Sequence, residues 1–221
     1  MKKQFRTRMV MLILLVLLLI GLVSFAGAKY ATTISYTGRI TFSASLAEDV
    51  ILQEHLAVRQ PDGSYKLDET VAPVQANTYK LIPGLDIPKD PHIIIKGKTP
   101  IKAFLFIEVW STLDKNAVYF QVDDTKWQAT EFAPKRTGAT VYLYVDGGTS
   151  AKVLDETVGT ALTIPILKPL VESKPETIRV SQTLLSQQGE ETKVLGFDVY
   201  LIEKTSDSAT PAQAYAGYSQ T

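Results

Sequence analysis

The chain has 221 residues, with 23 basic and 23 acidic side chains, two histidines and no cysteine. Disulfides, thiol nucleophiles and thiolate metal sites are therefore excluded, and the charge balance lacks the basic excess expected of a nucleic-acid binder.

Residues 1–28 stand apart from the rest. Lys2, Lys3, Arg6 and Arg8 form a basic start without acidic residues, Met9–Phe25 is an apolar run, and Ala26-Gly27-Ala28 supplies small residues before Lys29. This is the pattern of a secretory signal helix cleaved after Ala28. The competing reading is an uncleaved membrane anchor over residues 9–25, since the run approaches the roughly 20 residues that span a bilayer. Either way the body is expected outside the cytoplasm. Without residues 1–28 the chain keeps 19 basic and 23 acidic residues, a net charge of −4. About 190 residues are enough to bury a core without disulfides, and a cysteine-free exported domain suits a bacterial surface or matrix.

From Ile40 onward apolar residues recur mainly at every second position. Ile40, Phe42, Ala44 and Leu46 alternate with Thr41, Ser43 and Ser45, which predicts a strand with one wet face. "LAVRQPDGSYKL" predicts a β-hairpin around Pro61-Asp62-Gly63. "PGLDIPKDP", residues 83–91, must lie at a strand end or along a sheet edge, because proline removes a ladder hydrogen bond. Its prolines are expected to stop the preceding chain from pairing, as a fixed turn that lets "HIIIKG" begin cleanly.

In "IKAFLFIEVW" the set Ala103, Leu105, Ile107 and Val109 opposes Phe104, Phe106, Glu108 and Trp110. Both faces are largely apolar, which predicts a central strand covered on both sides, with Glu108 nearing solvent as the strand exits. Further strands are predicted at 117–123, 126–132, 140–146, 160–166, 176–185 and 193–204. Thr210-Pro211-Ala212-Gln213 reads as a capping box opening a short helix whose Tyr215 and Tyr218 pack one face onto the sheet. The fold class is all-β: one antiparallel sandwich of about ten strands with a short C-terminal helix.

Few residues carry chemistry. His92, at a strand start, reads as an edge or packing residue and His55 as a solvent-facing strand residue; no His-Glu-x-x-His or Gly-x-Ser-x-Gly motif occurs. Asp114, Asp123, Asp124 and Asp146 are clustered loop-end carboxylates that could bind calcium but lack the spacing of a twelve-residue calcium loop; the reading adopted is that Asp123 and Asp146 end strands and shape turns. No catalytic, cofactor-binding or metal residue is assigned.

Five features together resemble the camelysin/TasA-like group of exported Gram-positive proteins: the signal ending in Ala-x-Ala, "GRITFSASL", "YKLIPGLDIPKDPHIIIKGKTPIKAFLFIEVW", a "TKW" with a strand before it, and "LGFDVYLIEKTSDSATPAQAYAGY". The family-like positions are Pro83, Gly84, Ile87, Lys89 and Pro91. The resemblance implies a jelly-roll sandwich over residues 39–221 and a signal handled by a SipW-type peptidase. It further implies a matrix or cell-surface protein that partners itself in fibres, with a minor anchor protein as a further partner.

In such fibres an N-terminal segment of one subunit adds as a strand to the next. The segment here is residues 29–38, with Tyr30, Thr32, Ile34 and Tyr36 alternating; the alternatives are pairing within its own sandwich or disorder. The metalloprotease activity claimed for some relatives is not carried over, because the zinc-ligand motif is missing. The function expected is a non-enzymatic, exported structural protein. The alternative is an adhesin that binds a glycan or protein through loops such as 145–160 or 186–192.

Overall fold

The computed structural model describes residues 31–35, 39–41, 50–75, 84–96, 102–112, 118–155, 162–170, 177–181 and 195–219. In chain order the strands of the first half are β1 (Ala31–Ser35), β2 (Arg39–Thr41), β3 (Val50–Gln53), β4 (Leu56–Arg59), β5 (Tyr65–Asp68), β6 (Asp86–Pro88), β7 (His92–Ile95) and β8 (Ala103–Ser111). The second half adds β9 (Val118–Tyr119), β10 (Trp127–Ala129), β11 (Thr140–Tyr144), β12 (Val153–Leu154), β13 (Leu162–Pro165), β14 (Thr177–Val180) and β15 (Leu195–Glu203). One helix, α1 (Pro211–Ser219), closes the described chain. The strands outnumber the ten expected because several, such as β9 and β12, are only two residues long.

Every described ladder is antiparallel. The main sheet runs β10-β11-β8-β15-β1-β2, with β12 also on β8; smaller sheets are β13-β7-β3, β6-β14-β9 and the hairpin β4-β5. β8 is the spine. It pairs with all nine residues of β15 on one side and with β11 and β12 on the other. Its run of aromatic and β-branched residues without glycine or proline suits a strand buried on both faces.

The two faces go to different layers, as the alternation predicts. Ala103, Leu105, Ile107 and Val109 join Val199, Leu201 and Phe197 of β15 against Val50, Leu52, Ile93, Ile95 and Ile164 of the β13-β7-β3 sheet. This is the sandwich interior. Phe104 and Phe106 face the other way and are covered by Tyr215 and Tyr218 of α1 and by Phe132. The helix begins as its sequence requires: Gln213 Oε1 accepts from the Thr210 amide at 2.9 Å, and Thr210 Oγ1 accepts from the Gln213 amide at 3.3 Å.

The hairpin β4-β5 also forms as predicted. Gly63 takes φ +86°, and its amide donates to the Gln60 carbonyl at 3.0 Å. Only glycine occupies that backbone region cheaply. Two expectations need correction. Glu108 does not approach solvent but is fully buried. His92 does not lie on an edge: β7 is the middle strand of its sheet, with His92 between Gln53 and Pro165.

Candidate functional site

The residues singled out in the sequence fall in two places, the outer margin of the main sheet and the proline-rich segment. At the first, β1 pairs with β15 over Ala31↔Ile202, Thr32↔Leu201, Thr33↔Tyr200, Ile34↔Val199 and Ser35↔Asp198. β2 then pairs back onto β1. Thr32 and Ile34 thus occupy register positions opposite Leu201 and Val199, both buried in the sandwich interior. In the structure residues 31–35 of the segment pair within their own chain, one of the alternatives left open by the sequence. Ala26, Ala28, Lys29, Tyr30 and Tyr36 lie outside the described residues, as does the expected signal helix.

The proline-rich segment is not the non-pairing turn that was expected. Gly84 takes φ +78°, its amide donates to the Val180 carbonyl at 3.0 Å, and the Val180 amide donates to the Leu85 carbonyl at 3.0 Å. β6 then pairs with β14, setting Ile87 opposite Ile178 and Pro88 opposite Thr177. Pairing is tolerated because β6 is the outermost strand of its sheet, so the missing Pro88 N–H breaks no second ladder. Arg179 grips Asp86 through two contacts, Nε–Oδ1 at 2.8 Å and Nη2–Oδ2 at 3.1 Å. Ile87 is fully buried with Val118, Ile178 and Val180. Lys89 is buried and its ammonium meets Glu54 Oε2 at 2.7 Å. Pro91 accepts the Ile166 amide through its carbonyl at 2.9 Å, and Pro83 lies outside the described residues. This segment is therefore an anchor of the fold.

Sequence reasoning missed a buried polar cluster on the helix side of the main sheet. Glu108 accepts the Lys135 amide at 2.7 Å, the Arg136 amide at 3.1 Å and the Tyr215 hydroxyl. Its register partner Asp198 receives Arg136 Nε at 3.2 Å. The Arg136 guanidinium stacks 4.0 Å from the centre of the Trp110 ring, and Lys135 Nζ lies 3.7 Å from that of Tyr218. Trp110 lies opposite Gly196, where a Cβ would come within 2.3 Å of the indole. The signal that could have found this cluster was Glu108 itself, a carboxylate inside an otherwise apolar run.

Burial and the nearby Glu108 and Asp198 charges push the Tyr200 hydroxyl well above its usual value, and burial with the Glu108 contact does the same for Tyr215. Burial, then the Asp146 charge, raises Tyr144 likewise. A tyrosine raised in the folded state contributes stability that is complete below the unfolded value of about 10 and is lost above it. Stability is thus expected to fall as pH rises past about 10. Phenolate absorbance from these three side chains should appear together with loss of the far-ultraviolet CD signal; their titration near 10 in an intact fold would contradict this.

The acidic turn residues behave as their sequence suggested. Asp123 Oδ1 accepts the Thr125 amide at 3.0 Å, Asp124 pairs with Lys168, and Asp146 adopts φ +49° before Gly147. Lys126 bonds Asp146 at 2.8 Å and holds its carboxyl below the ordinary value. Asp114 lies outside the described residues. Among the described residues, one group of three metal-capable side chains comes together: His55, Asp90 and His92.

Also among the described residues, no helix is long and apolar enough to cross a membrane. No protein-family model, curated protein or solved structure matches the chain.

Proposed function

We propose that the chain is an exported, non-enzymatic structural protein of a bacterial surface or matrix that self-assembles by exchanging its N-terminal strand between copies. The jelly-roll wiring, the signal cleavage after Ala28 and the resemblance to the camelysin/TasA-like group belong to the same proposal. The observation that supports it is the place of β1. This short N-terminal strand closes one side of β15 through five register pairs, while the other side of β15 is fixed along its whole length by β8. If β1 leaves, β15 becomes a sheet edge with unpaired backbone groups, a template for any matching strand.

An identical segment from a second copy satisfies the same ladder with the same register, so exchange costs little in contacts. Each donor also leaves its own edge open for the next copy. Head-to-tail repetition of that step gives a filament rather than a closed pair.

The test uses the chain beginning at Lys29, and a second chain lacking residues 29–38, followed by electron microscopy and sedimentation. Fibres are expected from the first and none from the second. A peptide of residues 29–38 added in excess should cap growth. Fibres that persist after the deletion, or a strictly monomeric parent chain across salt and pH, would reject the reading. A casein digestion assay with and without chelator is expected to show no activity.

A further inference from the structure

The chain has two histidines, and the fold brings both to one spot. His55 lies between β3 and β4, directly before Leu56, and His92 opens β7, which pairs with β3 so that Gln53 stands opposite His92. Their ring centroids lie 5.6 Å apart. One nitrogen of each ring and a carboxylate oxygen of Asp90 all fall within 4.8 Å of one another, and all three residues are half-buried. We propose that His55, His92 and Asp90 form a binding site for a divalent first-row transition ion of the zinc class.

Asp90 organises both rings. Its Oδ1 accepts the His55 amide at 3.0 Å, its Oδ2 lies 2.5 Å from His55 Nδ1, and its main-chain oxygen lies 2.8 Å from His92 Nδ1. A carbonyl oxygen only accepts, so His92 carries its proton on Nδ1 and Nε2 holds a lone pair. The Gln53 side-chain amide, 3.3 Å from that Nε2, donates to it. Metal-binding histidines are held as His92 is, with one nitrogen occupied by a carbonyl; the ion takes the place of the Gln53 proton on His92 Nε2 and of the proton between His55 Nδ1 and Asp90 Oδ2.

The donor set selects the ion class. Two imidazoles and one carboxylate suit zinc, copper or nickel, whereas calcium and magnesium take oxygen ligands. Three protein ligands also leave a coordination position open. The neighbouring charges favour a cation. Glu54 and Lys89, each adjacent in sequence to a member of the cluster, are buried and neutralise one another. Beside the two rings stands the Asp90 carboxylate, bonded to His55 Nδ1. The scaffold is rigid where it matters: β3 and β7 form one ladder, and both amide and carbonyl of Glu54 are tied to Val74 at 2.8 Å.

The experiment titrates Zn2+ into the untagged protein by calorimetry and records Cu2+ electron paramagnetic resonance at one equivalent. Saturable 1:1 binding is expected, weakened about tenfold or more in His55→Ala and in His92→Ala. The Cu2+ spectrum should show hyperfine splitting from two imidazole nitrogens in the parent and from one in either variant. The parent's nitrogen count carries the test even where a variant loses its CD signature. Absence of saturable binding, unchanged affinity in both variants, or a Cu2+ spectrum without imidazole nitrogen would overturn the site. Fibre formation does not enter these readouts, so the site and the assembly reading fail separately.

Discussion

Replacing Lys89 with methionine is expected to destabilise the fold by about 3–5 kcal/mol, the cost of leaving a buried carboxylate without its partner. Lys89 Nζ and Glu54 Oε2 are 2.7 Å apart with side chains 5 % and 0 % exposed, so water cannot take over the lost contact. Main-chain bonds from Glu54 to Val74 prevent the carboxylate from swinging outward. The double variant Glu54→Leu with Lys89→Met is expected to recover most of the loss, because removing both charges also removes their desolvation. Urea unfolding of the parent, both single variants and the double variant measures the coupling. A cost below about 1 kcal/mol for Lys89→Met would place the pair in the class of solvent-screened surface bridges, against its burial here.

This pair explains why the "PGLDIPKDP" stretch was only half legible. Its prolines correctly pointed to a sheet edge, since β6 is the outermost strand of its sheet. They misled about pairing, because a proline on an edge strand forfeits no ladder bond when its missing N–H faces away from the neighbour. Nothing local shows that the lysine turns inward to a glutamate far back in the chain. By contrast, β8 was readable on both faces because two interleaved apolar sets leave a strand no exposed side. The helix start was readable because its capping contacts span only Thr210 to Gln213.

The histidines illustrate the same limit. Read alone, His55 is a solvent-facing strand residue and His92 an edge or packing residue; the structure sets His55 half-buried against Asp90, and their meeting depends on β3 pairing with β7, a long-range register that periodicity does not specify. At β1, alternation marked a strand but not its partner. The same pattern serves equally for its own sheet or a neighbour's, since the ladder bonds are main-chain bonds.

Glu108→Ala is expected to cost a similar amount, about 3–5 kcal/mol, for a different reason. The substitution leaves the amides of Lys135 and Arg136 and the hydroxyl of Tyr215 without their shared acceptor. A donor left unsatisfied away from water costs about 1–3 kcal/mol, and of the three the Tyr215 hydroxyl is buried while the two amides are part-buried. Relief of repulsion with Asp198 works in the opposite direction but is small, because Arg136 already faces that carboxylate. Tyr215→Phe removes one donor together with its need and should cost only about 1–2 kcal/mol. The double variant should therefore be less damaging than the sum of the singles, because the phenylalanine leaves no hydroxyl to strand. Glu108→Ala should also release residues 135–136 from the sheet and with them the stacking of Arg136 on Trp110, changing the near-ultraviolet CD of the tryptophan. Full stability in Glu108→Ala with an unchanged tryptophan signal would mean that the 130–139 loop is held by its apolar contacts through Phe132, and that the carboxylate is incidental to it.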